Sequence, residues 1–262
     1  MAKDVSTNVE RAMELLLALG QAGSEGSTLQ DLARALGHAK PAVHRALASL
    51  TRKGFVEQAG RRGRYRLGPT IHALARRSGT AAETITILRP ALVEVAATTG
   101  HSAYLIVRAG LDAVCLDMQT GSSPIQTLTS GVGGRIPLGV GPGSLSILAT
   151  LDKATSAAVI RHNEARCRDL YGLDAIALTR AVEEVRERGF AFEVGTFFPQ
   201  VGGVGVAVCG HNGAAEAAVS IAAPSASLDR ASVRTIADTI SRAIAGVLAS
   251  RESSFAMTGP RS

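Results

Sequence analysis

The sequence has no tryptophan, only 3% aromatic residues, and three cysteines in 262 residues. With so few aromatic rings, any pocket must be lined mainly by aliphatic side chains, phenylalanine being the chief exception. Cys115, Cys167 and Cys209 show no CxxC spacing and leave an odd count, which excludes a disulfide framework. Buried, reduced thiols are the expectation, as suits the cytoplasm. Long apolar runs are also missing. Nothing approaches the ~20 apolar residues that a membrane span needs. "LLLALG" at 15–20 is short and follows Glu10 and Glu14, unlike a signal peptide. A soluble, cytoplasmic protein without a membrane partner is therefore expected.

Catalytic signatures are missing as well. HExxH, the Walker phosphate loop and GxSxG do not occur. "GHSAY" at 100–104 places Tyr104 where a nucleophile elbow needs its second glycine. The glycines between 131 and 143 miss the GxGxxG spacing. His38, His44, His72, His101, His162 and His211 are scattered without metal-ligand spacing, so neither a metal nor another cofactor is expected.

What is present is a segregated charge. Residues 1–80 hold 13 Lys/Arg against 6 Asp/Glu, a net of +7, whereas 81–262 hold 15 against 16, a net of −1. A basic module joined to a neutral body is the arrangement expected when one part meets a polyanion. Hydrophobic residues make up 46% of the chain, enough for a substantial core.

Within that module, Val9, Met13, Leu16 and Leu17 recur at helical spacing until "QAGSEGS" intervenes. A second helix is predicted from Ser27, with Gln30 at capping-box distance, and Gly37 stops it. The third, over 41–53, has Pro41 near its start and Val43, Leu47 and Leu50 facing inward. Two short strands, 55–58 and 64–68, flank "AGRRG". Helix, helix, turn, helix and basic hairpin is the order of a winged helix-turn-helix. With the apolar stripe turned inward, Lys40, Pro41, Ala42, His44, Arg45 and Arg52 are the candidates for the DNA side. Arg45 can fork onto a guanine edge and Ala42 can touch a thymine methyl. Lys53 suits the backbone, and Arg61, Arg62 and Arg64 suit phosphates or a minor groove. A helical interaction module with a charged face has the same periodicity.

Residues 69–88 are read as a linker helix, amphipathic enough to pair with another subunit. Beyond it, a helix is predicted at 90–100. "SAYLIVRAG" and "DAVCLDMQ" form a hairpin, and "PIQTLTS" is a further strand. Helices follow near 144–152 and at 178–189. "FAFEV", "GGVGVAVCG" and "EAAVSIAAP" are strands, with "HNG" at 211–213 as a turn, and a long helix ends near 250. The expected organisation is α+β: a winged helix at 8–68, the linker at 69–88, a second domain at 89–250 and a disordered tail at 251–262.

"AVHRALASLTRKGFVEQ" followed by "GRYRLG" resembles the winged helix of the IclR family of bacterial transcriptional regulators. "VGGRIPLG" (132–139), "VRERGFAFEVG" (185–195) and "AAVSIAAPSASL" (217–228) are similar to that family's effector-binding domain. The resemblance spans about residues 8–250. It implies a dimer or dimer of dimers on a palindromic operator, with repression as the commoner outcome. It also implies a GAF-like second domain whose antiparallel sheet holds a small organic effector, with a carboxylate or aromatic portion. Arg45 and His44 match recognition-helix positions, whereas Pro41 and Ala42 replace a frequent Ser and Thr. In the pocket, Glu193 stands for an Asp, Gly203 for a frequent Cys, Ser220 matches a Ser, and Ala222 replaces another. Gly139 replaces a common His. Ser144, Leu145 and Ser146 replace Gly-Lys-Ala, the backbone amides of Ser144 and Leu145 being offered to an anion. Val201 completes the implied effector set.

Two alternatives are open at this point. One is an enzyme of small-acid metabolism with a basic arm, in which Glu193, Ser220 and Ser144 form the active site. The other is a non-specific nucleic-acid binder, in which Arg45 matters no more than Arg61.

Overall fold

Leu15 and Leu19 are fully buried against Leu32, Ala33, Val43, Leu47, Val56 and Tyr65, and this small core organises the N-terminal part of the chain. Its elements are α1 (Thr7–Gln21), β1 (Ser27–Thr28), α2 (Leu29–Ala35), α3 (Lys40–Arg52), β2 (Val56–Ala59) and β3 (Arg64–Leu67). β3 lies between β1 and β2, antiparallel to both. The computed structural model describes residues 6–59, 63–77, 79–122, 125, 131–209 and 215–257. It divides into two compact units, Met1–Ala82 and Glu83–Ser262.

α1 does not bury the face that its spacing predicts. Val9, Met13 and Leu17 are 52%, 59% and 48% exposed, while Leu15 and Leu19 carry the core. The run Leu15, Leu16, Leu17 offers apolar side chains around most of one turn, so periodicity alone does not choose between faces. The start of α2 also shifts. Ser27 pairs with Tyr65 as a strand residue, leaving Thr28 as the cap. Its Oγ1 accepts the Asp31 amide at 3.2 Å and donates to the Asp31 carboxylate at 2.7 Å.

α4 (Pro69–Arg77) and α5 (Gly79–Thr99) follow. The helix predicted to begin at 90 is the second half of α5, with Pro90 inside it. An interior proline removes a helix hydrogen bond and costs about 3 kcal/mol. Burial of Leu88, Ala91, Leu92 and Val95 along one face of α5 offsets that penalty.

The second unit is built on a six-stranded antiparallel sheet. Its strands are β4 (Ser102–Ala109), β5 (Asp112–Gln119), β6 (Arg135–Pro137), β7 (Ala191–Val194), β8 (Val201–Cys209) and β9 (Ala215–Pro224), in the order β6-β5-β4-β9-β8-β7. Alternation along the strands sends Ala103, Leu105, Val219 and Ile221 to one face, which α5 and α9 (Arg230–Met257) cover. Tyr104, Ile106, Ala218 and Ala222 go to the other, under α6 (Pro142–Thr150), α7 (Lys153–Tyr171) and α8 (Ala175–Arg188). β6 and α7 are additions to what the sequence predicts. The strand expected at 124–130 lies outside the described residues except for Ile125, which is not in a strand, and so does the turn at 211–213. α9 continues into the expected tail as far as Met257, because 251–257 contain neither glycine nor proline to stop it. Residues 258–262 lie outside the described residues. No helix is long and apolar enough to cross a membrane among the described residues.

Candidate functional sites

Burial of Val43 and Leu47 fixes which way α3 faces. At 100° per residue, Pro41, His44, Arg45 and Arg52 turn away from that stripe, Lys40 sits at the very start of the helix, and all five are exposed. Ala42 is partly buried beside them, and Lys53 is the exposed C-cap. Pro41 sits in the first turn, where its missing N–H leaves no helix bond unmade. Ser49 shares this outward side, one turn from Arg45, and its hydroxyl donates to the Arg45 carbonyl at 3.1 Å. Ser49 is not among the candidates named from the sequence, although its spacing of four from Arg45 and three from Arg52 marks the same face.

The wing arginines differ from this row. Arg64 donates through Nε to the Glu25 carbonyl at 2.8 Å and through Nη2 to the Gly26 carbonyl at 2.7 Å. Its fork ties β3 to the turn before β1 and does not project as a free phosphate contact. Arg61 and Arg62 lie outside the described residues.

In the second unit, a cavity of about 70 Å³ opens between the first turn of α6 and strands β4, β7, β8 and β9. Six of the seven effector residues expected from the sequence line it: Ser144, Glu193, Val201, Gly203, Ser220 and Ala222. Leu145 does not. Its amide donates to the Gly141 carbonyl at 2.9 Å as the first rung of α6. The amides that the helix leaves without an intrahelical acceptor are those of Gly143 and Ser144. The Ser144 hydroxyl is occupied as well: it accepts the Gly139 amide at 2.8 Å and donates to the Pro137 carbonyl at 3.3 Å, holding the loop before α6.

Glycines bring this helix end so close to the sheet. A Cβ on Gly205 would stand 2.5 Å from the Pro142 carbonyl carbon and 2.7 Å from the Gly143 nitrogen. One on Gly143 would stand 2.9 Å from both Ile106 Cγ1 and Ser220 Oγ. Ser220 is therefore against the first turn of α6, 7% exposed, and its hydroxyl has no hydrogen-bond partner among the described residues. Tyr104 is its register partner on β4 and another lining residue. Ile106, Ile136 and Val140, which the sequence did not suggest, form the apolar wall together with Phe198. Strand alternation could have found Tyr104 and Ile106, since they pair across from Ser220 and Ala218.

Glu193, on the edge strand β7, faces Gly203 across the ladder. Burial pushes its carboxyl above the ordinary glutamate value, partly countered by the Thr196 amide that donates to it at 3.2 Å. The lining contains no lysine, arginine, histidine or cysteine. An acid, a hydroxyl and a helix end set in an apolar wall are the composition of a small-molecule binding site. No cluster of three or more His, Cys, Asp or Glu suited to a metal exists among the described residues.

Two family models match the chain: the IclR helix-turn-helix domain over residues 8–60, and the bacterial transcriptional regulator IclR C-terminal domain over 78–246. The HTH-type transcriptional regulator BhcR of Paracoccus denitrificans is 27% identical over 256 residues, 95% of this chain and 86% of that protein. Among solved structures, an IclR transcriptional regulator from Alicyclobacillus acidocaldarius aligns with a TM-score of 0.72 at 26% identity, over 94% of this chain and 98% of that one. An IclR homologue from Microbacterium hydrocarbonoxydans, complexed with 4-hydroxybenzoate, shares the fold at 20% identity and a TM-score of 0.69, over 92% and 100% of the two chains.

Proposed function

Since the chain belongs to the IclR family, and is thus a DNA-binding transcriptional regulator and not an enzyme, we propose that it acts as an effector-responsive repressor. α3 reads the operator, and the cavity beside α6 holds the effector. One observation carries this reading: Lys40, Pro41, His44, Arg45 and Arg52 are all exposed on a helix that the buried Val43 and Leu47 hold in one orientation. In the major groove, Arg45 forks onto a guanine, and Ala42 lies against a thymine methyl. Arg52 and Lys53 engage phosphates, as do Arg61 and Arg62 of the wing. Two copies grip a palindrome, singly or as a dimer of dimers, in the cytoplasm.

The effector is a small organic molecule with a carboxylate or an aromatic portion. The amides of Gly143 and Ser144 and the Ser220 hydroxyl suit an oxyanion, and Phe198, Ile106 and Ile136 suit a ring. 4-Hydroxybenzoate, the ligand of the Microbacterium homologue, combines the two features. Fluorescence anisotropy with the DNA upstream of the protein's own coding region, against a scrambled duplex over a salt series, tests the proposal. Sequence-preferring binding with a steep salt slope, lost in Arg45→Ala, is expected. Equal weak binding to both duplexes, with Arg45→Ala no worse than Arg61→Ala, would leave only a non-specific binder.

A further inference from the structure

Glu193 faces a cavity that also presents two helix amides and a hydroxyl suited to an anion, and nothing cationic lines the space between them. The elements around it contribute no charge. β8 offers Gly202 and Gly203, α6 offers Pro142 and Gly143, and Phe198 and Val201 close one side. Tyr104 on β4 is the one other titratable lining residue. Phe192 and Val194, the neighbours of Glu193 on β7, alternate to the opposite face. The Arg188 guanidinium sits over the Phe192 ring, 4.5 Å from its centroid.

An anion seated on the Gly143 and Ser144 amides and on Ser220 shares about 70 Å³ with this carboxyl. Two like charges sharing one half-open cavity, with only the partial charge of a helix end to offset them, each disfavour the other's ionised form. Protonation of the glutamate resolves the conflict and converts an acceptor into an O–H donor aimed at the ligand. The burial that already raises the Glu193 carboxyl acts in the same direction. Resting on the effector reading above, we propose that the cavity takes a carboxylate effector together with one solvent proton, which Glu193 carries and donates to the ligand as a hydrogen bond.

The complex then holds one proton more than the free protein wherever free Glu193 is ionised. Affinity is full at acid pH and falls about tenfold per unit as pH rises past the free-state value of Glu193. Any response of operator binding to such an effector inherits the same dependence.

Isothermal titration of the full-length protein with 4-hydroxybenzoate, benzoate and propionate, from about pH 5.5 to 8.5 in buffers of contrasting ionisation enthalpy, counts the proton directly. 4-Hydroxybenzamide serves as the uncharged counterpart. The expected result is uptake approaching one proton with the carboxylates, none with the amide, and a flat pH profile with no uptake in Glu193→Gln. Thermal unfolding confirms that the variant is folded. Carboxylate binding without proton uptake, or an unchanged pH slope in Glu193→Gln, overturns the proposal. So does failure of every carboxylate at the acid end. In that case, binding of the amide leaves the effector reading standing, whereas no binding by any compound at saturating concentration, with operator still bound, counts against both.

Discussion

Arg45 and Arg64 are the same residue in different circumstances, and the difference makes them separable by experiment. Arg45 is exposed on α3. Its replacement by alanine is expected to weaken operator binding by about 1–3 kcal/mol and relax preference at one base pair, with no change in melting temperature. Arg64 spends its fork on two backbone carbonyls. Arg64→Ala should leave the salt slope of DNA binding untouched and instead lower the stability of the winged helix by about 1–3 kcal/mol, read by thermal unfolding. The sequence could not distinguish the two, because the acceptors of Arg64 are carbonyls almost 40 positions away. Glu193 makes a further residue-scale prediction. Its folded value lies above the unfolded one, so its contribution to stability is complete below the ordinary glutamate range of about 4.3 and is lost as pH rises through the folded value. Glu193→Gln removes that loss. Melting curves should show the variant no more stable than the parent near pH 4 and more stable above pH 7; a constant difference across the range would contradict the assignment.

At the scale of elements, the legible parts are those whose partner is fixed by a single strong pattern. α3 was readable because Val43 and Leu47 have no apolar competitor on the opposite side of the helix. The buried face of α1 is not legible because Leu15, Leu16 and Leu17 surround it, and only the tertiary position of Leu32 and Val56 decides which of them is buried. α7 escaped notice for a related reason. Its inward face mixes Val159 and Ile160 with Ser156, Asn163 and Cys167, so polar residues break the apolar period. The pocket was legible, through the family resemblance, as a set of single positions but not as a shape. Its floor depends on how closely α6 approaches β8, and that approach is set by glycines, which leave no hydrophobic signal. Gly205→Ala tests the point. The added methyl would meet the backbone of Pro142 and Gly143 well inside van der Waals contact, so the helix end must move. Loss of about 1–3 kcal/mol in stability is expected, together with a displaced amide pair and weakened carboxylate binding by titration calorimetry. A variant with parental melting and affinity would mean that α6 is free to shift and does not define the site.

For the whole molecule, the organising feature is the separation of a +7 segment, residues 1–80, from a −1 remainder. Non-specific affinity for DNA comes from counterion release, and each neutralised phosphate contributes about 0.9 to the slope of log affinity against log salt. If the DNA path runs only over the first segment, charges in the rest of the chain drop out of that slope however many there are. Replacing Arg52 and Lys53 by alanine should flatten it by about one unit for each phosphate contact removed. Replacing Arg161, Arg230 and Arg234, all exposed in the second unit, should leave it unchanged. The comparison needs only anisotropy titrations of the intact protein on one duplex at four or five salt concentrations. Flattening by the second set would mean that DNA also tracks across the effector-binding unit. An effector could then act by withdrawing part of the contact surface, and regulation would have to be explained by contact area as well as by α3.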